Sequence, residues 1–176
     1  MSNKASKRLI VMRHAKSSWK QPQLEDHERK LNKRGCLSAQ AIARKLHQMN
    51  WVPTTVISSD AVRTRQTWSE MQTFLEDIPA SFHRSLYHAG WDQATVEVCA
   101  QISGEASVLL LGHNPGWSWM VGDLTGRPTE LKTADAVLLE PKKEELDWVD
   151  LMTLPGQWNI AHLLRSRTLL EYPELY

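Results

Sequence analysis

The chain has 176 residues, 41% of them hydrophobic, which is enough for one domain of ordinary size with a real core. Twenty-one Lys and Arg against 20 Asp and Glu leave a formal net charge of +1, so no overall field attracts nucleic acid or an anionic membrane, and any anion preference must be local. No stretch approaches the roughly 18 apolar residues of a membrane span, and the opening Met1-to-Arg8 segment has no apolar h-region behind it, so the expected compartment is the cytoplasm.

Strand-like and helix-like periods alternate along the chain, which predicts an α/β domain. Residues 8 to 13 are a short branched run suited to a buried strand, and Asn32 precedes a helical stretch whose Ala39, Ile42, Leu46 and Met49 keep a three-four spacing. Trp51-Val52-Pro53 breaks that helix, Thr55 to Ser58 reads as a second strand, and Thr64, Trp68, Met71 and Leu75 mark the inner face of a second helix. A loop is expected to about Leu86. Asp92 is expected to cap a helix through Ile102, Ser107 to Leu111 is the strongest strand signal, and Pro115 suits the first turn of a helix continuing to Leu124. Ala136 to Leu139, Trp148 to Leu151 and Trp158 to Leu164 read as later, meandering strands. One domain is expected over 1–176, with 1–7 and 167–176 as peripheral tails. Cys36 and Cys99 have no CxxC partner, which argues against a zinc knuckle or disulfide framework and leaves both as small reduced core residues.

In open α/β sheets ligands bind beyond the carboxyl ends of the strands. Arg13 and His14 follow the first strand, Ser58-Ser59 and Arg63 the second, and Gly112-His113-Asn114-Pro115 the one ending at Leu111, so three strands point at one location. Arg13 and Arg63 are permanently charged forks suited to phosphoryl oxygens. A neutral His14 could attack phosphorus and hold the phosphoryl group covalently, dividing one hard displacement into two easier ones. Nearby guanidinium charges are expected to depress its pKa from about 6.5. His113 is expected to donate a hydrogen bond that strengthens as charge builds in the transition state.

These segments resemble the three signatures of the histidine phosphatase superfamily, branch 1. The longer run Arg13-His14-Ala15-Lys16-Ser17-Ser18-Trp19, followed by Asp26-His27-Glu28-Arg29-Lys30-Leu31-Asn32-Lys33-Arg34-Gly35, is similar to its SixA-type phosphohistidine phosphatases in order and spacing. A thinner likeness continues through Leu86 to Ala89 and Trp158 to Arg165. The resemblance implies a three-layer αβα sandwich with a mostly parallel sheet, of the phosphoglycerate mutase-like kind. It also implies a metal-independent, cofactor-free phosphatase in which His14 carries the phosphoryl group and Arg13, Arg63 and His113 line the pocket. Ala15 replaces the glycine usual in the wider superfamily, and Lys30 the proline usual in the SixA-like pattern. Lys16, Ser17, Arg29 and Asn114 are candidate substrate contacts. No carboxylate between Arg63 and His113 matches the superfamily's general acid, and His88 and Asp26 are weaker candidates for proton donor.

Spacing removes several rivals. The residues six past Cys36 and Cys99 are Ile42 and Glu105, so no Cys-x5-Arg loop exists, and neither a DxDxT-like motif nor a GxxxxGK loop is present. The expected substrate is phosphohistidine on a protein, because the short interval between Arg63 and His113 leaves little room for a lid. Alternatives are a small phosphorylated substrate, taken by a phosphomonoesterase or mutase of the same superfamily, and a silent phosphate-binding module. No nucleic-acid or membrane partner is expected, and the oligomeric state is left open. Trp19, Trp91, Trp117 and Trp119 are expected to cover core edges.

Overall fold

Leu9 to Met12 are fully buried within β1 (Arg8–Arg13), as a strand covered on both faces requires. The computed structural model describes residues 6 to 173 and continues with α1 (Lys33–Gln48), β2 (Thr55–Ser59), α2 (Val62–Met71), β3 (Ala80–His83) and α3 (Trp91–Gln101). Then come β4 (Ser107–Gly112), α4 (Gly116–Thr125), β5 (Ala136–Pro141), α5 (Trp148–Thr153), β6 (Trp158–Leu164) and α6 (Ser166–Glu171). Short 3₁₀ turns occupy Asp26–Glu28 and Arg84–Leu86. Among the described residues no helix is long and apolar enough to cross a membrane.

The strands form one sheet in the order β3-β2-β4-β1-β5-β6, parallel throughout except for β5, which runs against both its neighbours. Alternation along the strands sorts the two faces. Leu9, Val11, Val108 and Leu110 pack with Val98 of α3, Trp117 and Met120 of α4, and Leu151 of α5. Ile10, Met12, Leu109 and Leu111 pack with Ile42 and Leu46 of α1, Trp68 of α2 and Leu169 of α6. The result is the three-layer αβα sandwich.

Five expectations change. The stretch Trp148 to Leu151 is helix, not strand: Asp147 caps it by accepting from the Asp150 amide at 2.9 Å, and buried Trp148, Leu151 and Met152 hold helical spacing. The supposed loop before Leu86 contains β3, an edge strand whose four residues are all half-buried, which erases the alternation. Gly90, not Asp92, stands at the N-cap of α3. The expected tail from 167 carries α6, with Leu169 in the core, and Lys7 is also buried; residues 1–5 and 174–176 lie outside the described part. Cys36 and Cys99 are half-buried rather than core residues. Asn32 does cap α1, accepting from the Gly35 amide at 2.8 Å.

Candidate active site

Parallel order β2-β4-β1 brings the ends of three strands side by side, with Arg13 in register with Gly112 and Ser58 with Leu111. The chain leaving β1 is then clamped. The His14 amide donates to Gly112 O at 3.0 Å, and the Ala15 amide to Thr67 Oγ1 at 3.0 Å. Thr67 Oγ1 in turn donates to Arg63 O at 2.7 Å, so α2 and the nucleophile loop are fixed together. From the other side the Ala134 amide donates to both Arg13 O and His14 O, at 3.1 and 3.0 Å. Ala134 does this from a left-handed conformation, φ 63°, which costs a residue with a Cβ about 1 kcal/mol or more.

His14 Nδ1 lies 2.7 Å from Ala15 O, which can only accept, so Nδ1 carries the proton and the lone pair is on Nε2. Arg63 Nε donates to that Nε2 at 3.3 Å. Burial holds the His14 pKa down to about 3, with Arg63, Arg13 and Arg29 adding to it against the Ala15 bond. The cations named from the sequence thus act as expected but rank behind desolvation, because His14 is only 7% exposed. The His113 ring centroid is 5.1 Å from that of His14. Ser59 Oγ already accepts from the Ala61 amide at 3.3 Å and so has its proton to give to His113 Nε2, 2.8 Å away; Nδ1 is then the N–H, buried and without a partner. Arg13 Nη1 donates to Leu131 O at 3.1 Å, while its Nε is likewise buried and unpartnered. Two orphaned N–H groups and a lone pair therefore share one small region, where an anion would satisfy the donors.

Asp26 is the hub beside this group. Its carboxylate accepts from Arg63 Nη2 at 2.9 Å, Arg29 Nη1 at 2.9 Å and Tyr87 Oη at 2.6 Å, and its carbonyl from Arg63 Nη1 at 2.5 Å. Burial alone would raise its pKa, but the bonds from Tyr87, Arg29 and Arg63 outweigh that and hold the carboxyl well below its ordinary range. Asp26 is therefore an anchor for Arg63, and as an ionised group it has no proton to donate. His88 Nε2 is 3.8 Å from Asp26 Oδ2, with its ring 6.1 Å from His113 and 3.9 Å from Tyr87.

A family model for the histidine phosphatase superfamily (branch 1) matches residues 9–95. An uncharacterised chloroplastic protein of Arabidopsis thaliana is 34% identical over 173 residues, 93% of this chain and 79% of its own length. The chain belongs to the histidine phosphatase superfamily. A candidate phosphohistidine phosphatase SixA from Agrobacterium tumefaciens superposes with a TM-score of 0.75 at 26% identity, covering 91% of this chain and 98% of that one. The protein histidine phosphatase SixA complexed with tungstate shares the fold, with a TM-score of 0.76 at 21% identity over 92% of this chain and 99% of its own. The sandwich is thus the phosphoglycerate mutase-like fold, and the chain is a histidine phosphatase of SixA type.

The remaining residues singled out in the sequence of this histidine phosphatase divide. Arg29 stays at the rim: Nη2 is bonded to Ser17 Oγ, Nε reaches Ser18 O at 3.4 Å, and its guanidinium lies 3.3 Å from the Trp19 ring centroid. Ser17 is buried, with its hydroxyl held by that arginine. Asn114 is turned to brace the loop, donating at 2.7 Å to Leu131 O, the carbonyl that Arg13 Nη1 also holds, and accepting from Ser118 Oγ at 2.9 Å. Lys16 also departs: its carbonyl accepts from the Asn32 amide at 2.9 Å, and its side chain lines a neighbouring cleft. Trp117 is buried, but Trp19 and Trp119 are exposed, so two of the four tryptophans do not cover core. Tyr87, Ser59, Thr67 and Ala134 were not singled out as site residues. Tyr87 packs edge-on against His27, whose Nε2 is 2.7 Å from Asp60 Oδ1, and against His113. Among the described residues no group of three or more His, Cys, Asp or Glu side chains is placed to hold a metal ion.

Proposed function

We propose that this phosphatase removes the phosphoryl group from phosphohistidine on a protein, without a metal, through a covalent intermediate on His14. The observation that carries the reading is the unprotonated Nε2 of His14, facing Arg63 Nε at 3.3 Å beside the orphaned N–H of His113. Nε2 attacks phosphorus and forms a P–N bond as the bond to the leaving imidazole breaks, and the leaving nitrogen takes up a proton. Arg13, Arg63 and His113 Nδ1 hold the phosphoryl oxygens, and their bonds shorten as negative charge builds. Water then attacks phosphorus, the P–Nε2 bond breaks, and the water proton passes to the base left by the first step.

His88 is the residue assigned to that proton. It is exposed at the mouth, with its Nε2 3.8 Å from the Asp26 carboxylate. Its backbone is left-handed, φ 57°, a cost that no side-chain burial offsets. The loop carrying it is seated on α4, since a Cβ at Gly116 would meet Ala89 O at 1.9 Å.

A protein substrate is favoured because the interval from Arg63 to His113 contains α2, β3, one 3₁₀ turn, α3 and β4, with no added cap over the pocket. The test is turnover of a phosphohistidine protein, a phosphotyrosine peptide and sugar phosphates, each against His14→Ala. Preference for the phosphohistidine protein supports the reading. Preference for a sugar phosphate makes the chain a small-molecule phosphatase or mutase, and binding without turnover makes it a silent phosphate-binding module.

A further inference from the structure

Beyond the phosphoryl pocket, the same carboxyl edge of the sheet opens into a second cleft of about 760 Å³. It lies where the end of β1, the start of β5 and the end of β6 come together, with Met12 paired to Ala136 and Ala136 to Leu164. Its walls are the first turns of α1, the segment 130–135 ahead of β5, and the passage from β6 into α6. Lys16, Arg34, Lys132, Arg165 and Arg167 line it, against two carboxylates, Glu130 and Asp135. A chain of net charge +1 thus gathers five cations in one concavity.

Asp135 cancels one of them, Arg165, and Glu130 alone faces the rest. Asp135 is 2% exposed and spent internally, accepting from Arg165 Nη1 at 2.6 Å, the Lys132 amide at 3.0 Å and the Ser166 amide at 3.1 Å. Arg167 is held by Glu171 at 2.7 Å. Lys16, Arg34 and Lys132 have no ion-pair partner among the described residues, and all three are exposed. No aromatic or large apolar side chain lines the cleft, so recognition there is by charge.

The cleft is joined to the catalytic pocket through a few residues of backbone. Arg13 serves the pocket and Lys16 the cleft, and Arg13 Nη1 also bonds the carbonyl of Leu131 at 3.1 Å, between the lining residues Glu130 and Lys132. A site for a small anion converges buried donors on one point, whereas these unpaired cations stand exposed on separate walls. That arrangement suits a long, solvated partner with carboxylates spread along it.

We propose that this cleft docks an acidic segment of the phosphorylated protein while the phosphoryl group sits over His14. This rests on the phosphoprotein reading above for the origin of the segment, but the binding itself does not require turnover.

The test uses the full chain, fluorescein-labelled octaglutamate and octaserine peptides, and the double variant Arg34→Glu/Lys132→Glu. Octaglutamate is expected to bind about tenfold more tightly than octaserine, a preference the variant loses, as a few exposed ion pairs allow. Raising the salt from about 50 to about 300 mM is expected to weaken it, since exposed charges are screened. A phosphopeptide with a glutamate flank is expected to show a KM about tenfold below its serine-flanked twin with wild type only, as the same pairs imply. Turnover of p-nitrophenyl phosphate is expected to be unchanged in the variant. Equal affinity for the two peptides, or full retention by the variant, overturns the proposal. Tripolyphosphate binding more tightly than octaglutamate overturns it in favour of a small polyanion site. Octaglutamate binding by a chain inactive toward every phosphorylated substrate leaves the cleft standing and sinks the phosphatase mechanism instead.

Discussion

Arg63 Nε donates to His14 Nε2 at 3.3 Å while the other two nitrogens of the same guanidinium are held by Asp26. One planar group thus aims the nucleophile's lone pair, carries charge for the transferring oxygens and is itself fixed by a carboxylate. Arg63→Lys keeps the charge but loses the fork, so kcat is expected to fall on the order of 10²- to 10³-fold. Thermal unfolding with kcat measured on the same samples checks this. A Tm loss accompanied by little change in kcat would make the residue structural.

Asp26 acts through Arg63, so Asp26→Asn is expected to lower kcat on the order of 10²-fold by letting the guanidinium drift, with Tyr87→Phe milder at a fewfold. Crystal structures or NMR of the variants report the Arg63 orientation. If Asp26 were the proton donor instead, the loss would grow with the basicity of the leaving group, and Arg63 would stay in place.

Burial of a neutral ring makes stability pH-dependent. The folded-state pKa of His14 is about 3 against about 6.5 unfolded, so between those values the unfolded chain binds more protons. Stability therefore rises with pH through that window and is lost as pH falls below about 6.5, by an amount on the order of a few kcal/mol near pH 4. Burial pushes His113 in the same direction. Urea midpoints at several pH values should give a shallower dependence for His14→Asn than for wild type. An identical slope contradicts the buried neutral ring.

His88→Asn keeps a residue tolerant of the left-handed conformation and removes the ionisable nitrogen. The expected loss is on the order of 10²-fold with phenyl phosphate, whose leaving group needs a proton, and small with 2,4-dinitrophenyl phosphate, which does not. Equal losses on both substrates would assign His88 to loop geometry alone.

The four central residues were legible because each follows an apolar run that ends in a parallel strand, and such strands deliver their carboxyl ends to one edge. Direction around a loop was not legible. Lys16 and Asn114 sit within two residues of His14 and His113, yet backbone and turn contacts direct one into the next cleft and the other onto Leu131. Tyr87 lies in the segment of thinner likeness but had no legible role, because it follows the edge strand β3, whose half-buried residues carry no period. Trp148, Leu151 and Met152 misled for the opposite reason, since a short apolar cluster satisfies both periods, and only the Asp147 cap marks it as helix.

Rapid-quench labelling with a 32P-phosphorylated substrate tests the mechanism at its root. The expected result is one acid-labile, base-stable phosphoryl group on Nε2 of His14, formed and lost at rates compatible with turnover and unaffected by chelator. A label on any other residue, or undiminished turnover by His14→Ala, would contradict it.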